Sequence, residues 1–244
     1  VEPITYQELG GLPDIDASLD IRQALRSFFE DYNYYHIDFN ANTIATGKLE
    51  RGWEYITTTQ ASFGILSAVN GQAELTGATF GSDPSYAYVD LGAGTIGCQD
   101  AARDPEFYCR WAMQTEAGTE RTYIGLCNGW SFAIPVTLPA GFYFDHVPGS
   151  NINAIASNGV TTTPIDTGLN PVLGTFYSFR IIVSGGGLVA RFYINDSLVA
   201  TIAATMPAGG TLLQPGARHD RTSGAPATGT SRVDYIFGWD TRTP

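Results

Sequence analysis

The chain predicts an all-β protein, a sandwich or barrel of short antiparallel strands. Three observations predict it. Thr175 to Ile202 (TFYSFRIIVSGGGLVARFYINDSLVATI) reads as three strands joined by two tight turns, Ser184–Gly187 and Asn195–Asp196. Glycine supplies positive φ at no steric cost, and Asn and Asp tolerate the left-handed region. Strand-like runs then recur every 8–14 residues along the chain, the spacing of sandwiches and barrels. Finally, Gly 28 and Pro 13 provide the turns, while 43% apolar content provides a core. A three-stranded meander cannot bury its apolar face alone, so the rest of the chain must supply a second layer.

Taken in order, residues 1–16 hold Pro3, Gly10, Gly11, Pro13 and several acids and read as an extended arm. Ile21, Leu25, Phe28, Phe29 and Tyr32 then fall at helical spacing, and Asp16 or Ser18 caps the start. The spacing predicts one helix, about Ser18 to Tyr32. Two uses compete for its stripe: packing on the β domain, or attachment to another protein.

Strands are expected at Tyr35–Phe39, Gly52–Thr59 and Tyr86–Leu91, with a hairpin at Ser62–Ala68 and Gln72–Gly77 around Asn70-Gly71. Phe107–Gln114 and Thr122–Leu126 read as a pair around the polar Glu116–Glu120 turn. Gly141–His146, Asn153–Ser157 and Val160–Pro164 follow. Met206 to about Thr230 reads as a long loop, and Ser231–Trp239 closes the chain as a strand beside the N-terminal ones. This gives an N-terminal segment, residues 1–44, and one β domain, residues 45–244.

The net charge of −11 disfavours nucleic acid and anionic membranes, which need a basic field. No apolar run is long enough to span a bilayer, and residues 1–20 lack the basic and apolar regions of a signal peptide. Of three cysteines, Cys98 and Cys109 lie close enough in sequence to pair; three free thiols is the competing reading. No spacing resembles a zinc site.

The succession FGILSAVNGQAELTG, the paired aromatic strands ending in Tyr-Ile-Gly-Leu, GFYFDH, NINAIASNGVTTTPIDTG, FYSFRIIV, RFYINDSLVATI and RVDYIFGW resembles the concanavalin-A-like lectin/glucanase jelly roll. It looks most like the version in structural proteins of tailed bacteriophages, with Asp196 where that hairpin usually has Gly. The resemblance implies a two-sheet antiparallel jelly-roll sandwich over roughly residues 50–240.

Glucanases of this fold carry a Glu-x-Asp-x-x-Glu strand, since retaining chemistry needs two carboxyls about 5–5.5 Å apart. No Glu-x-Asp occurs here, and Glu54, Asp90, Asp145 and Asp234 lack partners two residues on. Related lyases use a Tyr-x-Lys segment; the sole lysine, Lys48, stands in another setting. Catalysis is therefore not expected. For sugar stacking, Trp130 is the best single candidate, placed in a loop after Cys127-Asn128-Gly129. Asp145, His146 and Asn151 are further polar candidates; the Asp145-His146 and Asn151-Ile152-Asn153 cluster offers hard ligands for calcium, although turn chemistry is the favoured reading. No cofactor is expected. Arg218 and His219 belong to the densest charged patch, RHDR, a binding loop tip or a salt-bridged turn.

The leading expectation is a non-enzymatic virion protein, decorating a capsid or forming a spike. It would be made in the host cytoplasm, anchored to capsid or other virion proteins by the Ile21, Leu25, Phe28, Phe29, Tyr32 stripe, and assembled as a homo-oligomer. The alternatives are a carbohydrate- or receptor-binding tail module that takes a cell-surface glycan, and a diverged glycan hydrolase or lyase.

Overall fold

The computed structural model describes residues 32–38, 53–57, 61–66, 72–76, 85–91, 99–116, 118, 120–130, 139–221 and 229–241. They form two antiparallel sheets and no helix. The strands are β1 (Tyr32–Asp38), β2 (Trp53–Thr57), β3 (Ser62–Leu66), β4 (Gln72–Thr76), β5 (Ser85–Leu91), β6 (Gln99–Asp100), β7 (Glu106–Thr115) and β8 (Glu120–Cys127). There follow β9 (Gly141–His146), β10 (Asn153–Ser157), β11 (Thr162–Asp166), β12 (Tyr177–Ser184), β13 (Val189–Ile194), β14 (Ser197–Ile202), β15 (Leu212–Arg221) and β16 (Thr230–Thr241). Sheet A runs β14-β13-β12-β7-β16-β4-β3, with β1 also paired to β16. Sheet B runs β11-β10-β9-β8-β15-β5-β2, with β6 also paired to β15.

The meander at β12–β14 forms as its alternation requires: β12 and β13 bury every second residue. Asn195 and Asp196 take φ of 48° and 62°, closing the β13–β14 turn in the left-handed region. The same alternation on sheet B directs Ile124, Leu126, Phe142 and Phe144 at sheet A. Phe144 meets Phe179 and Phe192 edge-on, with ring centroids 4.8 Å and 5.3 Å apart. Burying one such ring contributes about 2–3 kcal/mol, so these contacts hold the two layers together.

Several expectations need correction. The segments at β7 and β8 do not pair with each other. β7 bonds β12 and β16, whereas β8 bonds β9 and β15. Both strands present apolar faces, and opposite sheets let those faces bury each other. The expected loop 206–230 contains the ten-residue strand β15, so Arg218 and His219 sit in a strand and not at a loop tip. Pro215-Gly216 reads as a turn signal, but Pro215 falls just before the β5 ladder begins at Gly216. Cys109 is a free, buried thiol, so it makes no disulfide with Cys98.

Ile21, Leu25, Phe28 and Phe29 lie outside the described residues, as does the rest of the expected helix. Tyr32, taken as the last residue of that stripe, instead opens β1 opposite Thr241. Strand pairing here satisfies backbone groups that a helix would have bonded internally. Residues 32–38, grouped with the N-terminal segment on sequence, are thus hydrogen-bonded into sheet A.

Gly125 in β8 takes φ +154°, and a Cβ there would lie 2.3 Å from the Phe142 carbonyl oxygen and 2.6 Å from Tyr143 Cα. These are backbone atoms of the neighbouring strand and have little freedom to retreat. Gly125→Ala is expected to destabilise the domain by about 2–3 kcal/mol, read from the urea midpoint.

Candidate functional site: the outer face of sheet B

Three of the residues singled out on sequence meet on the solvent side of sheet B. Cross-strand register builds the face in rows. One row runs Ile155–Tyr143–Gly125–Gly216–Asp90–Glu54 across six strands. The next runs Asp145–Tyr123–Arg218. On the other side, Cys127 lies opposite Gly141 and Gln214. The two adjacent glycines lower the middle of the face to backbone level.

Trp130 occupies that depression. It packs with Tyr123, Cys127, Tyr143 and Ile155 in an apolar cluster separate from the core between the sheets. Its Nε1 donates to the Gln214 carbonyl at 2.9 Å. Its own carbonyl accepts from Arg218 Nη1. The indole is therefore 1% exposed and offers no face for a sugar to stack on. The expectation of an exposed Trp130 fails because neighbours on both sides of the glycine row draw the ring down.

Two ion pairs form in the middle of this face. Arg218 and Asp220 are both fully buried, and Arg218 Nε donates to Asp220 Oδ1. Burial pushes the Asp220 carboxyl up to about 6, against the pull of Arg218. Arg121 grips Asp145 with two bonds, Nε to Oδ1 at 2.7 Å and Nη2 to Oδ2 at 2.6 Å, the fork geometry that makes such pairs strong. Its guanidinium also lies 5.3 Å from the Tyr123 ring centroid. Burial raises the Tyr123 and Tyr143 hydroxyls well above their usual range, so both stay protonated.

The remaining candidates fall elsewhere. His146 and His219 point into the interior from the same strands, on either side of Thr122. Asn151 bonds Asp166 Oδ2 at 3.1 Å. These six residues therefore do not form one site. Asp145 has both oxygens committed to Arg121 and stands apart from Asn151, so the calcium reading finds no preformed cage. Among the described residues, no group of three or more His, Cys, Asp or Glu is placed to hold a metal.

Sequence reasoning missed Arg121, Tyr123 and Gln214. The alternation of ERTYIGL could have flagged the first two as facing away from the core. Glu54 and Asp90, read as solitary acids, are Cα partners on β2 and β5. That relation depends on register and does not show in i+2 spacing.

The fold matches solved structures over nearly the whole chain. A protein of unknown function from Shewanella oneidensis MR-1 aligns with TM-score 0.62 at 14% identity, covering 100% of this chain and 99% of that one. A Bacillus licheniformis β-glucanase gives 0.57 at 10%, covering 86% and 98%. The Emp47p carbohydrate recognition domain gives 0.58 at 8%, covering 85% and 96%. A sialidase also matches, and there the chain spans only 18% of the other protein's length. No family model matches the sequence, and no curated protein does. The architecture is that of the concanavalin-A-like lectin/glucanase jelly rolls; at these identities the likeness concerns the fold alone.

Proposed function

We propose that this protein is a non-enzymatic structural protein of a tailed-phage virion, a capsid decoration or spike, attached through the segment before β1. The observation that carries the non-enzymatic part is the filled centre of the outer face of sheet B, over β9, β8 and β15. The indole of Trp130 fills its depression, and its buried Arg218 and Asp220 bond each other. A glycan-acting site needs an open groove with carboxyls free to meet substrate. The virion part rests on the sequence resemblance. What supports the attachment is that β1, the first described strand, is hydrogen-bonded to β16, Tyr32 lying opposite Thr241. Multivalent anchoring on a symmetric shell would multiply weak contacts by each copy.

The test is deletion of residues 1–31 from the gene in its native phage. Particles should form but lose this protein, while the truncated domain stays folded and soluble. Normal incorporation of the truncated chain would refute the attachment. A glycan array separates the alternative, a carbohydrate- or receptor-binding tail module. Saturable binding by the wild-type chain would favour that module, and turnover of any polysaccharide would refute the non-enzymatic reading.

A further inference from the structure

Between the sheets, at the end where the β7–β8 connection crosses, lies a polar row that the proposed function does not use. Register sets His146, Thr122 and His219 side by side on β9, β8 and β15. Both histidines are buried. His219 Nδ1 lies 3.0 Å from Thr122 Oγ1, and His146 Nε2 lies 2.8 Å from Glu116 Oε1. His146 Nδ1 and the neighbouring Trp111 Nε1 make no hydrogen bond, and His219 Nε2 has only the Gly229 backbone beside it. The void lined by Trp111, Thr122, Phe144, His146, Ile152 and Phe179 is too narrow for a water molecule. Unpartnered polar atoms in a dry interior are tolerated only while they carry no charge.

We propose that this histidine row is an acid-sensitive latch: it holds the end of the sandwich shut while the His219 ring is neutral and releases it when His219 takes up a proton. None of the bonds to the His219 ring comes from a carboxylate. β8 presents Thr122 and β9 presents His146, a second imidazole whose carboxylate, Glu116, sits on its far nitrogen. The Gly229 backbone, just before β16, bonds the ring, β5 places Ala87 opposite, and the buried Glu120 carboxylate lies against Gly229. Arg218 and Asp220, its chain neighbours, pair with each other on the opposite face.

The electrostatics agree with the geometry. Burial lowers His219 from 6.5 to about 4; His146 adds to the shift and the Gly229 backbone opposes it. The folded value lies below the unfolded one, so the open state binds the proton more tightly. Closure is then unaffected above about pH 7 and weakens as pH falls from 6.5 towards 4. Asp220 acts with the opposite sign. Its folded value is raised from 3.8 to about 6, so it favours the closed state as pH falls through that window. A variant at His219 is therefore needed to isolate the latch.

The measurement is amide exchange on the full chain at pH 7 and pH 5, corrected for intrinsic rates. The His219 contribution alone should raise opening at residues 120–122, 219–221 and 229–231 about 20-fold. In His219→Gln the acid increase should vanish or reverse. An equal increase in the folded variant would overturn the latch. If His219→Gln does not fold, histidine-selective NMR of the wild-type chain decides. Protonation of His219 near pH 6.5 with β8 and β15 unchanged would overturn it; a neutral ring down to the onset of opening supports it.

Discussion

Arg218→Met should lower unfolding stability by about 3–5 kcal/mol, the cost of leaving one partner of a buried ion pair uncompensated. The guanidinium serves two acceptors in a site without solvent, Asp220 Oδ1 and the Trp130 carbonyl. Methionine fills much of the same volume but donates to neither. Without the pull of Arg218 the Asp220 carboxyl rises further and takes a proton, so the loss should be largest at high pH and shrink as pH falls towards 6. Adding Asp220→Leu should recover most of the loss, leaving only the unpaired Trp130 carbonyl, about 1–2 kcal/mol. Chemical denaturation of both single variants and the double variant closes the cycle. A double variant as unstable as Arg218→Met alone would show that packing, and not charge, dominates this site.

Trp130→Ala should cost about 3–5 kcal/mol, a large loss for a residue outside the main core. The substitution removes the largest member of the outer cluster, deletes the Nε1 bond to Gln214, and leaves a cavity over the glycine row. Tyr123 and Tyr143 meet at 6.0 Å edge to face beside it, and neither ring spans the gap. Stability should be read from the urea midpoint. A loss below about 1 kcal/mol would mean that the ring lies loosely on the face. The same variant bears on function: opening the depression should produce no polysaccharide turnover, because Arg121 and Arg218 still hold Asp145 and Asp220.

Much of the fold was legible in the sequence where one face of a strand is apolar. β12 and β13 alternate cleanly, and the turns of the β12–β14 meander carry glycine or Asn-Asp. The hairpin at β3–β4 and the strands β9 and β10 follow the same logic. Sheet membership was not legible. β7 and β8 are neighbours in sequence, each with a buried face, and nothing local says whether they pair or oppose. β15 was hidden because it buries charge: Arg218 and Asp220 look like loop residues until their pairing is seen. The site was legible only as a set of residue types. Trp130 and Arg218 stand 88 positions apart, and their hydrogen bond exists because β15 inserts beside β8. His146 and His219 were picked as surface candidates, yet strand parity turns both inward.

The direct test of the closed face is oxidative footprinting of the native protein, with labelling of each tryptophan read by mass spectrometry. Trp130 should be protected as fully as Trp111 in the core, since both are buried almost completely. Labelling of Trp130 at the rate of an exposed aromatic, with Trp111 still protected, would contradict it: the depression would be open, and the face would be a ligand groove.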